Sequence, residues 1–392
     1  MTHQDHVDWD LVGSAEELVA LLLDNAEEGE RRGRLPADSV KALEAAGMTR
    51  LTMPARLGGV QANLPTQFEV TRTLARGDGS ASWVMSLYAV CGYWASLFPD
   101  SVQAEVFTGP GSRVAGISTP AGTLLPVEGG YTLNGQWPWN TGVLDATWNV
   151  VATLRPLDDG GMMPYLALVP VSELELLDDW HMSGMKGTGS VTSIARDVFV
   201  PEARTLPFPP LLSGQHASEA NKDAVEYSYA VYPFLLSASI GTFVGMAQGA
   251  LESFTRRASG RMTSFEDPTP QAASPVARVQ VGEVAIMIES ALALSRQVIA
   301  SLHRHAVAGT PVPVEERVRV RAAVAYVVRQ SADAALALAR ISGATAFRLD
   351  MPGQRHLRDI TMLANHALLN YEANVSVLGT LTLGSTPETT FL

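Results

Sequence analysis

The chain of 392 residues is long enough for two or three domains with sizeable cores, which excludes the small folds that depend on disulfides or structural metals. Its 28 Lys and Arg are outnumbered by 40 Asp and Glu, and the net charge of −12 argues against nucleic acid as a partner. The single cysteine, Cys91, excludes an internal disulfide framework. The polar N-terminus and the lack of a long apolar run predict a cytoplasmic protein without a membrane span.

Residues 1–112 are predicted to form a helical domain. Apolar residues recur every three or four positions in several stretches, and Ser14 followed by Glu17 is a capping-box pattern that would begin the first helix. Gly47 is placed to end the second helix. The predicted helices are Ser14 to Leu23, Pro36 to Ala46, about Thr66 to Arg76 and Ser82 to Phe98, with a short one up to Phe107.

Residues 113–212 have the composition of a β-domain. Its central stretch, residues 129–142, reads GGYTLNGQWPWNTG, and Asn134-Gly135 is a strong signal for a tight hairpin turn. Alternation with a period of two would then place Trp137 and Trp139 on one face of the second strand. A core hairpin with aromatic filling is the alternative interpretation.

Two loops of this β-domain offer backbone and hydroxyl groups to a ligand. Thr141 and Gly142 end the hairpin in a tight loop, where a backbone can approach a flat ligand closely. The stretch 179–192 is dense in Gly, Ser and Thr, and it leads into a strand that ends at Pro201. Its hydroxyl groups belong to Ser183, Thr188 and Ser190, among others.

Residues 213–392 are predicted to form a four-helix bundle after a short linker. The long Ala-rich helices would bury a second face by self-association, which indicates a homo-oligomer. The predicted helices are Leu235 to Ala258, Pro275 to Ala306, Val314 to Ser342 and Gln354 to Leu378.

The motif DGSASW in the first helical domain and the motifs GYTLNG and GTGS in the β-domain resemble those of the acyl-CoA dehydrogenase superfamily. The order of a helical domain, a β-domain and a helical bundle also resembles that superfamily. The resemblance covers essentially the whole chain. It implies an α+β fold with an N-terminal helical domain, a middle β-barrel or sandwich and a C-terminal four-helix bundle. It also implies assembly as a homotetramer.

The last predicted helix resembles one branch of that superfamily, the flavin-dependent monooxygenases of two-component systems. These enzymes carry an R-x-x-R-D pattern followed by a His, which matches Arg355, Arg358, Asp359 and His366. In this branch, reduced FMN or FAD comes from a separate reductase, O2 adds at flavin C4a, and the hydroperoxide transfers one oxygen atom to the substrate. Spacings of three or four residues would place Arg355, Asp359, His366 and Asn370 on one stripe of one helix.

The resemblance implies roles for several of these residues. His366 would act as a base toward the substrate or as a donor to the peroxide, since imidazole exchanges protons near neutral pH. Asn370 would orient the imidazole or the substrate, and the Thr141 hydroxyl would lie near flavin N5. Further flavin contacts are expected from Trp139 and Gly142. At the flavin phosphate, the expected contacts are the hydroxyl and N–H groups of Ser183, Thr188 and Ser190 and the charge of Lys186. Arg256, Arg257 or Arg261, of which Arg261 is preferred, would approach the phosphate from the bundle of this or a neighbouring subunit. The expected substrate contacts are Trp83, Tyr88, Cys91 and Phe234.

Several features bear on partners. No GxGxxG or Walker motif is present, so a separate NAD(P)H:flavin reductase is implied, and no His or Cys cluster has the spacing of metal ligands. Arg358-Asp359 is expected to be a structural ion pair. His181 could contact the flavin or lie in an exposed loop.

Three other functions stay open. A true acyl-CoA dehydrogenase would need a Glu base on the bundle, and Glu372 lacks the expected flanking residues. An amino-sugar N-oxygenase of the same branch and a flavin-free scaffold subunit are the others. The aromatic and Met-rich lining expected for the pocket favours a flat aromatic substrate.

Overall fold

The computed structural model describes residues 7–262 and 269–389, and within these ranges it is an α+β protein, as predicted. The N-terminal helices are α1 (Trp9–Arg32), α2 (Ala37–Ala45), α3 (Leu64–Ala75), α4 (Gly79–Ala95) and α5 (Asp100–Val106). The strands are β1 (Val114–Ile117), β2 (Thr123–Val127), β3 (Gly130–Trp137), β4 (Trp148–Pro156), β5 (Met162–Pro170), β6 (Glu175–Leu176), β7 (Ser193–Pro201) and β8 (Thr205–Pro207). The later helices are α6 (Phe208–Leu212), α7 (Val231–Ser237), α8 (Ile240–Ala258), α9 (Pro275–Ala308), α10 (Val314–Ser342), α11 (Pro352–Leu363) and α12 (Tyr371–Thr382).

Helix α1 begins earlier than the capping-box pattern predicted. Its N-cap is Asp8, whose carboxylate accepts the backbone N–H groups of Asp10 and Leu11 at 3.1 and 3.0 Å. Ser14 lies inside the helix, where its hydroxyl donates to the Asp10 carbonyl. The predicted cap was therefore wrong, because an aspartate six residues upstream already satisfies the first amide groups.

Helix α4 is the central helix of the fold. Asp78 caps its N-terminus by accepting the Ser80 N–H at 2.9 Å, and nearly every residue along it is buried. A helix that is apolar on all sides must be covered on all sides. It packs against α3, α8, β1 and the loop that holds residues 186–188, so it joins all three parts of the chain.

The middle strands form one sheet in the order β6-β7-β3-β2-β4-β5-β8, with β1 parallel to β4. The tight turn joins β2 to β3 at Glu128-Gly129, and Asn134-Gly135 lies inside β3, at an irregularity in its pairing with β7. The predicted turn was wrong because the Asn134 side chain bonds to Asp197 of the neighbouring strand instead. Trp137 therefore ends β3 fully buried, whereas Trp139 lies beyond the strand and is 55% exposed.

The bundle follows the predicted order, and α10 has the predicted bounds. The last predicted helix is broken in two: α11 ends at Leu363, and α12 begins at Tyr371. His366 and Asn370 cause the break, since each side chain accepts a backbone N–H two or three residues ahead, as N-caps do. The expected single stripe from Arg355 to Asn370 is therefore wrong.

By length and composition alone, two helical stretches could cross a membrane, Val231–Ala258 and Pro275–Ala308. By length and composition, the prediction that the chain lacks an apolar run long enough to cross a membrane was wrong. In the first stretch 83% of the most apolar window is buried inside the fold, which is typical of a core helix. In the second, α9, the value is 33%, so this helix leaves an apolar face uncovered by its own chain.

Candidate active site

A cavity of about 1010 Å³ lies where α4, the middle sheet and the α11 end of the bundle meet. This volume is at the upper end of the range for small-molecule sites. The apolar walls come mainly from Trp83, Leu87, Val90, Cys91, Trp94, Ile117, Trp137, Trp139, Trp180, Met182, Met185, Leu235, Leu336, Leu357, Met362, Leu363 and Leu368. The polar side chains that line it are Ser118, Thr119, Thr141, Ser183, Thr188, Ser190, Arg358, Thr361, Asn365 and His366.

Three hydroxyl groups on the β-domain side of the cavity form a continuous hydrogen-bonded chain. Thr141 Oγ1 lies 2.9 Å from Ser190 Oγ, which lies 2.7 Å from Thr188 Oγ1. Thr188 donates to the carbonyl of Met185 at 2.8 Å. All three hydroxyl-bearing residues are buried, so the chain lies in a low-dielectric wall where such bonds are strong.

Two tryptophans lie beside this chain. Trp139 has a left-handed backbone (φ +67°), which turns it out of the strand direction of β3, and it meets Trp180 edge-to-face with ring centroids 5.3 Å apart. The Trp180 indole N–H donates to the Met185 carbonyl at 3.1 Å, which fixes the ring. Flat apolar rings next to buried hydroxyls offer a wall for a flat ligand that also carries polar atoms.

The turn that carries Thr141 is held from α4. Gly142 has φ +73°, and a Cβ on it would approach the Tyr88 ring to 2.9 Å, so glycine is required here. The Tyr88 hydroxyl donates to the Gly142 carbonyl at 2.7 Å. Burial raises the pKa of Tyr88 well above its ordinary value, so the phenol stays protonated and keeps this bond.

The loop 183–190 is anchored by the R-x-x-R-D motif of α11. Asp359 is buried and accepts the Met185 N–H at 2.5 Å, and Arg358 donates to the Ser183 carbonyl at 2.7 Å. Gly184 passes so close to α11 that a Cβ on it would lie 2.3 Å from the Arg358 carbonyl. The motif therefore determines the shape of this loop.

The same motif ties α11 to α1. Arg358 pairs with Glu30 of α1 at 2.8 Å, so the predicted ion pair between Arg358 and Asp359 was wrong. Arg358 pairs with Glu30 because the Asp359 side chain points to the loop backbone instead.

The two buried aspartates near this contact have raised pKa values. Burial raises the pKa of Asp359 to about 7 and that of Asp78 to about 6.

His366 is on the bundle side of the cavity, at the break between α11 and α12. Its ring meets Trp83 edge-to-face with centroids 5.7 Å apart, and its Nδ1 accepts the Leu368 N–H at 3.3 Å. The side chain is solvent-accessible and lines the cavity, and desolvation by the protein packed around it lowers the pKa of His366 from the ordinary value. The neutral ring with Nδ1 as acceptor carries its proton on Nε2, so it is a hydrogen-bond donor there.

Of the residues predicted at the site, eight line the cavity: Trp83, Cys91, Trp139, Thr141, Ser183, Thr188, Ser190 and His366. Tyr88 and Gly142 do not line it, and they act behind it by supporting the turn of Thr141. Phe234 is also not a wall residue, because it is fully buried between Tyr93 and Tyr229.

Two further predictions are corrected by the structure. Asn370 is outside the cavity lining, because its side chain caps α12 by accepting the Ala373 N–H at 2.9 Å. Arg261 lies away from the cavity, where its guanidinium donates to the Ile341 carbonyl at 2.9 Å and to Gln271. Within this chain neither is placed to contact a ligand in the cavity.

No sequence pattern marks Trp180 or Arg358 directly as a wall residue. Trp180 stands beside the Gly-rich stretch, and an aromatic residue at the start of such a loop could have been noticed. Arg358 and Glu30, which share a hydrogen bond, are 328 residues apart in the sequence, and no local pattern predicts a contact over that separation.

The wall residues within the described part of the chain include no Asp or Glu. Glu372, the candidate base of a dehydrogenase, is 78% exposed and pairs with Arg329 at 3.6 Å. Abstraction of an α-proton by a carboxylate, as in the dehydrogenase interpretation, therefore has no base among the wall residues that the structure describes.

The class of protein follows from the fold and two family matches. Residues 11–100 match the family described as Acyl-CoA dehydrogenase, N-terminal domain, and residues 238–371 match Acyl-CoA dehydrogenase, C-terminal domain. The two matches lie on either side of the middle sheet, so they frame the cavity. The chain has the acyl-CoA dehydrogenase fold.

The relatives define the branch. The chain is 32% identical, over 97% of both chains, to the flavin-dependent monooxygenase, oxygenase subunit HsaA of Mycobacterium tuberculosis, and a crystal structure of HsaA superposes with a TM-score of 0.91 over 99% of this chain and 100% of that one. XiaF from Streptomyces sp., in complex with FADH2 and glycerol, is 29% identical with a TM-score of 0.91 and covers 98% and 97%. The FADH(2)-dependent resorcinol hydroxylase, oxygenase component, of Rhizobium sp. is 28% identical over 96% and 95%. The chain belongs to the acyl-CoA dehydrogenase superfamily, in the branch of two-component flavin-dependent monooxygenases.

Proposed function

We propose that this chain binds reduced FMN or FAD in the cavity and uses it with O2 to hydroxylate a small aromatic substrate. The observation that carries the proposal is a single cavity that combines tryptophan walls, the buried Thr141 hydroxyl and His366, without a carboxylate among its described wall residues. Bound reduced flavin supplies the activation of O2. The rest of the chemistry belongs to the chain's own side chains.

The β-domain wall fits the flavin. Trp139 and Trp180 provide apolar surface for a flat ring, and Thr141 offers a buried hydroxyl within the same wall. Ser183 and the backbone of its loop supply further polar groups. Closure of this wall against water matters, because reduced flavin in contact with solvent loses its electrons to O2 without product.

His366 acts on the substrate side. In the neutral tautomer its Nε2–H donates to an oxygen atom in the cavity, either of the substrate or of activated oxygen. The edge-to-face contact with Trp83 orients the ring. Of the two predicted roles, hydrogen-bond donor is the one that this tautomer supports.

The remaining walls favour an aromatic substrate. Apolar surface in the same cavity as His366 comes from Met362, four residues earlier in the chain, and from three residues of α4, Trp83, Leu87 and Cys91. An amino sugar would leave most of its hydroxyls unpaired against such walls, which costs free energy. A hydroxylated aromatic ring matches both the apolar surface and the donor at His366.

The partners follow from the same proposal. The chain has no dinucleotide fingerprint, so a separate reductase supplies the reduced flavin. The apolar face of α9, with Val276, Val279 and Ile286 exposed, supports self-association, and a homotetramer would cover it. Cytoplasmic location agrees with a chain whose single cysteine, Cys91, is buried and forms no disulfide.

Stopped-flow absorbance tests the proposal. Anaerobic protein with reduced FMN or FAD is mixed with oxygenated buffer, and a protein-free sample is the control. We expect a transient near-ultraviolet absorbance, distinct from both reduced and oxidised flavin, that outlives the oxidation of free flavin. Oxidation at the rate of free flavin, together with bleaching of tightly bound oxidised FAD by an acyl-CoA, would return the chain to the dehydrogenases.

A further inference from the structure

We propose that Ser190 is a positioning residue that orients the Thr141 hydroxyl so that its oxygen, and not its proton, faces the cavity. The protein then discriminates between the oxidised and the reduced state of flavin by the direction of this hydrogen bond. This inference rests on the proposed function, because it takes the flavin ring to lie against Thr141.

The direction of the hydroxyl chain is set at its far end. Thr188 has one hydroxyl proton, and it is donated to the Met185 carbonyl at 2.8 Å, where only an acceptor is available. The oxygen of Thr188 can therefore only accept from Ser190 at 2.7 Å. The proton of Ser190 is used in that bond.

The polarity then passes to the cavity. Because Ser190 has given its proton to Thr188, its oxygen accepts the proton of Thr141 across 2.9 Å. Thr141 is left with lone pairs alone on the side that lines the cavity. A hydroxyl that could otherwise donate or accept is thus fixed as an acceptor.

The carbonyl that sets this direction is itself fixed. Met185 has a left-handed backbone (φ +53°), and its N–H is bound to the buried Asp359 at 2.5 Å. Its carbonyl also accepts the Trp180 indole N–H at 3.1 Å and the Thr188 N–H at 3.2 Å. With three donors converging on it, this carbonyl is a firm end to the chain.

Flavin N5 carries a proton when the ring is reduced and only a lone pair when it is oxidised. An oxygen acceptor at Thr141 can pair with the reduced form, whereas it opposes a lone pair in the oxidised form. The protein would therefore bind reduced flavin tightly and release the flavin after oxidation. Ser190 and Thr188 would serve the flavin through Thr141 and not by contacting its phosphate.

The test measures the dissociation constants of oxidised and dithionite-reduced FAD and FMN, anaerobically, for native protein and Ser190→Ala. In the variant the Thr141 proton is free to turn toward the cavity. We expect the ratio of the oxidised to the reduced constant to fall about five- to tenfold, the size of one hydrogen bond, mainly through tighter binding of oxidised flavin. Ser193→Ala is the matched control. It removes a nearby buried hydroxyl that accepts a hydrogen bond from Asn140 and does not belong to the hydrogen-bonded series Thr141, Ser190 and Thr188.

Thr188→Val is the second variant, in case Ser190→Ala does not fold. It removes the acceptor for Ser190, so Ser190 can turn its proton to Thr141, and the ratio should fall in the same direction. Folded variants that bind both flavins with the native ratio would overturn the inference. Native protein that binds neither flavin would instead overturn the proposed function, so the two failures are distinct.

Discussion

The two walls of the cavity are built in opposite ways. On the β-domain wall the polar groups bond one another, from Thr141 through Ser190 and Thr188 to the backbone of Met185. On the bundle wall His366 stands at a break between two helices, with one ring nitrogen bound to the Leu368 N–H. The first wall fixes the orientation of its polar groups and suits a constant partner such as a cofactor. The second keeps a polar group available, as a reacting substrate requires.

The largest effect should come from the bundle wall. His366→Ala removes the single imidazole among the described wall residues, and we expect product formation to fall by about 10²-fold or more, as for loss of an acid–base group. Flavin affinity should change little. Initial rates of product formation measure this, with His181→Ala as control, because that exposed loop histidine does not line the cavity. Equal losses in both variants would remove the distinction between the walls.

Gly184→Ala tests the rigidity of the β-domain wall. The new Cβ would lie 2.3 Å from the Arg358 carbonyl, so the loop must move away from α11. We expect a loss of about 3 kcal/mol in the free energy of unfolding, at the upper end for overpacking, together with weaker flavin binding. Urea denaturation provides the measurement. Gly111→Ala, which would meet no atom within 4 Å, should be close to neutral.

Asp359→Asn tests the anchor of the same loop through pH. Burial raises the pKa of Asp359 to about 7 from 3.8, so the fold favours the protonated carboxyl and loses stability as pH rises toward 7. Asparagine can still accept the Met185 N–H but does not titrate. Relative to native protein, the variant should gain about 2 kcal/mol between pH 5 and pH 7, since one pKa unit equals about 1.4 kcal/mol. Denaturation at several pH values measures this, and a difference that stays flat over the range would contradict it.

The smallest effect concerns the aromatic surface. Trp139→Ala removes one of the two rings that meet at 5.3 Å, and we expect flavin to bind about tenfold more weakly, since stacking on an aromatic ring contributes about 1–3 kcal/mol. Flavin titration followed by fluorescence measures the change. Trp9→Ala, at another exposed tryptophan far along the chain, is the control. A similar loss in both variants would mean that Trp139 is an ordinary surface residue.

The sequence predicted most of the β-domain wall and the key residue of the bundle wall. Thr141, Ser190 and His366 could be found because local composition or a spaced motif marks each of them. The fold order was also predictable, since the composition changes near residues 113 and 213. These features depend on neighbours in the chain.

Two of the failures share a physical cause, which is a bond to a distant segment. Asn134 does not form a turn because its side chain bonds Asp197. Tyr88 is not available to a substrate because its hydroxyl donates to the Gly142 carbonyl. Asn370 failed for the opposite reason, since its cap on α12 is local but competes with a continuous helical pattern. Periodicity cannot show such competition between two local structures.

Isotope labelling tests the central claim most directly. Protein, reduced flavin and a phenolic substrate are incubated under ¹⁸O₂, and the products are analysed by mass spectrometry, with Thr141→Val and His366→Ala in parallel. The account predicts a product that carries one ¹⁸O atom in the native reaction, with far less of it in the His366 variant. Hydrogen peroxide as the sole product across a panel of phenols and polycyclic aromatics, with desaturation of an acyl-CoA instead, would contradict it.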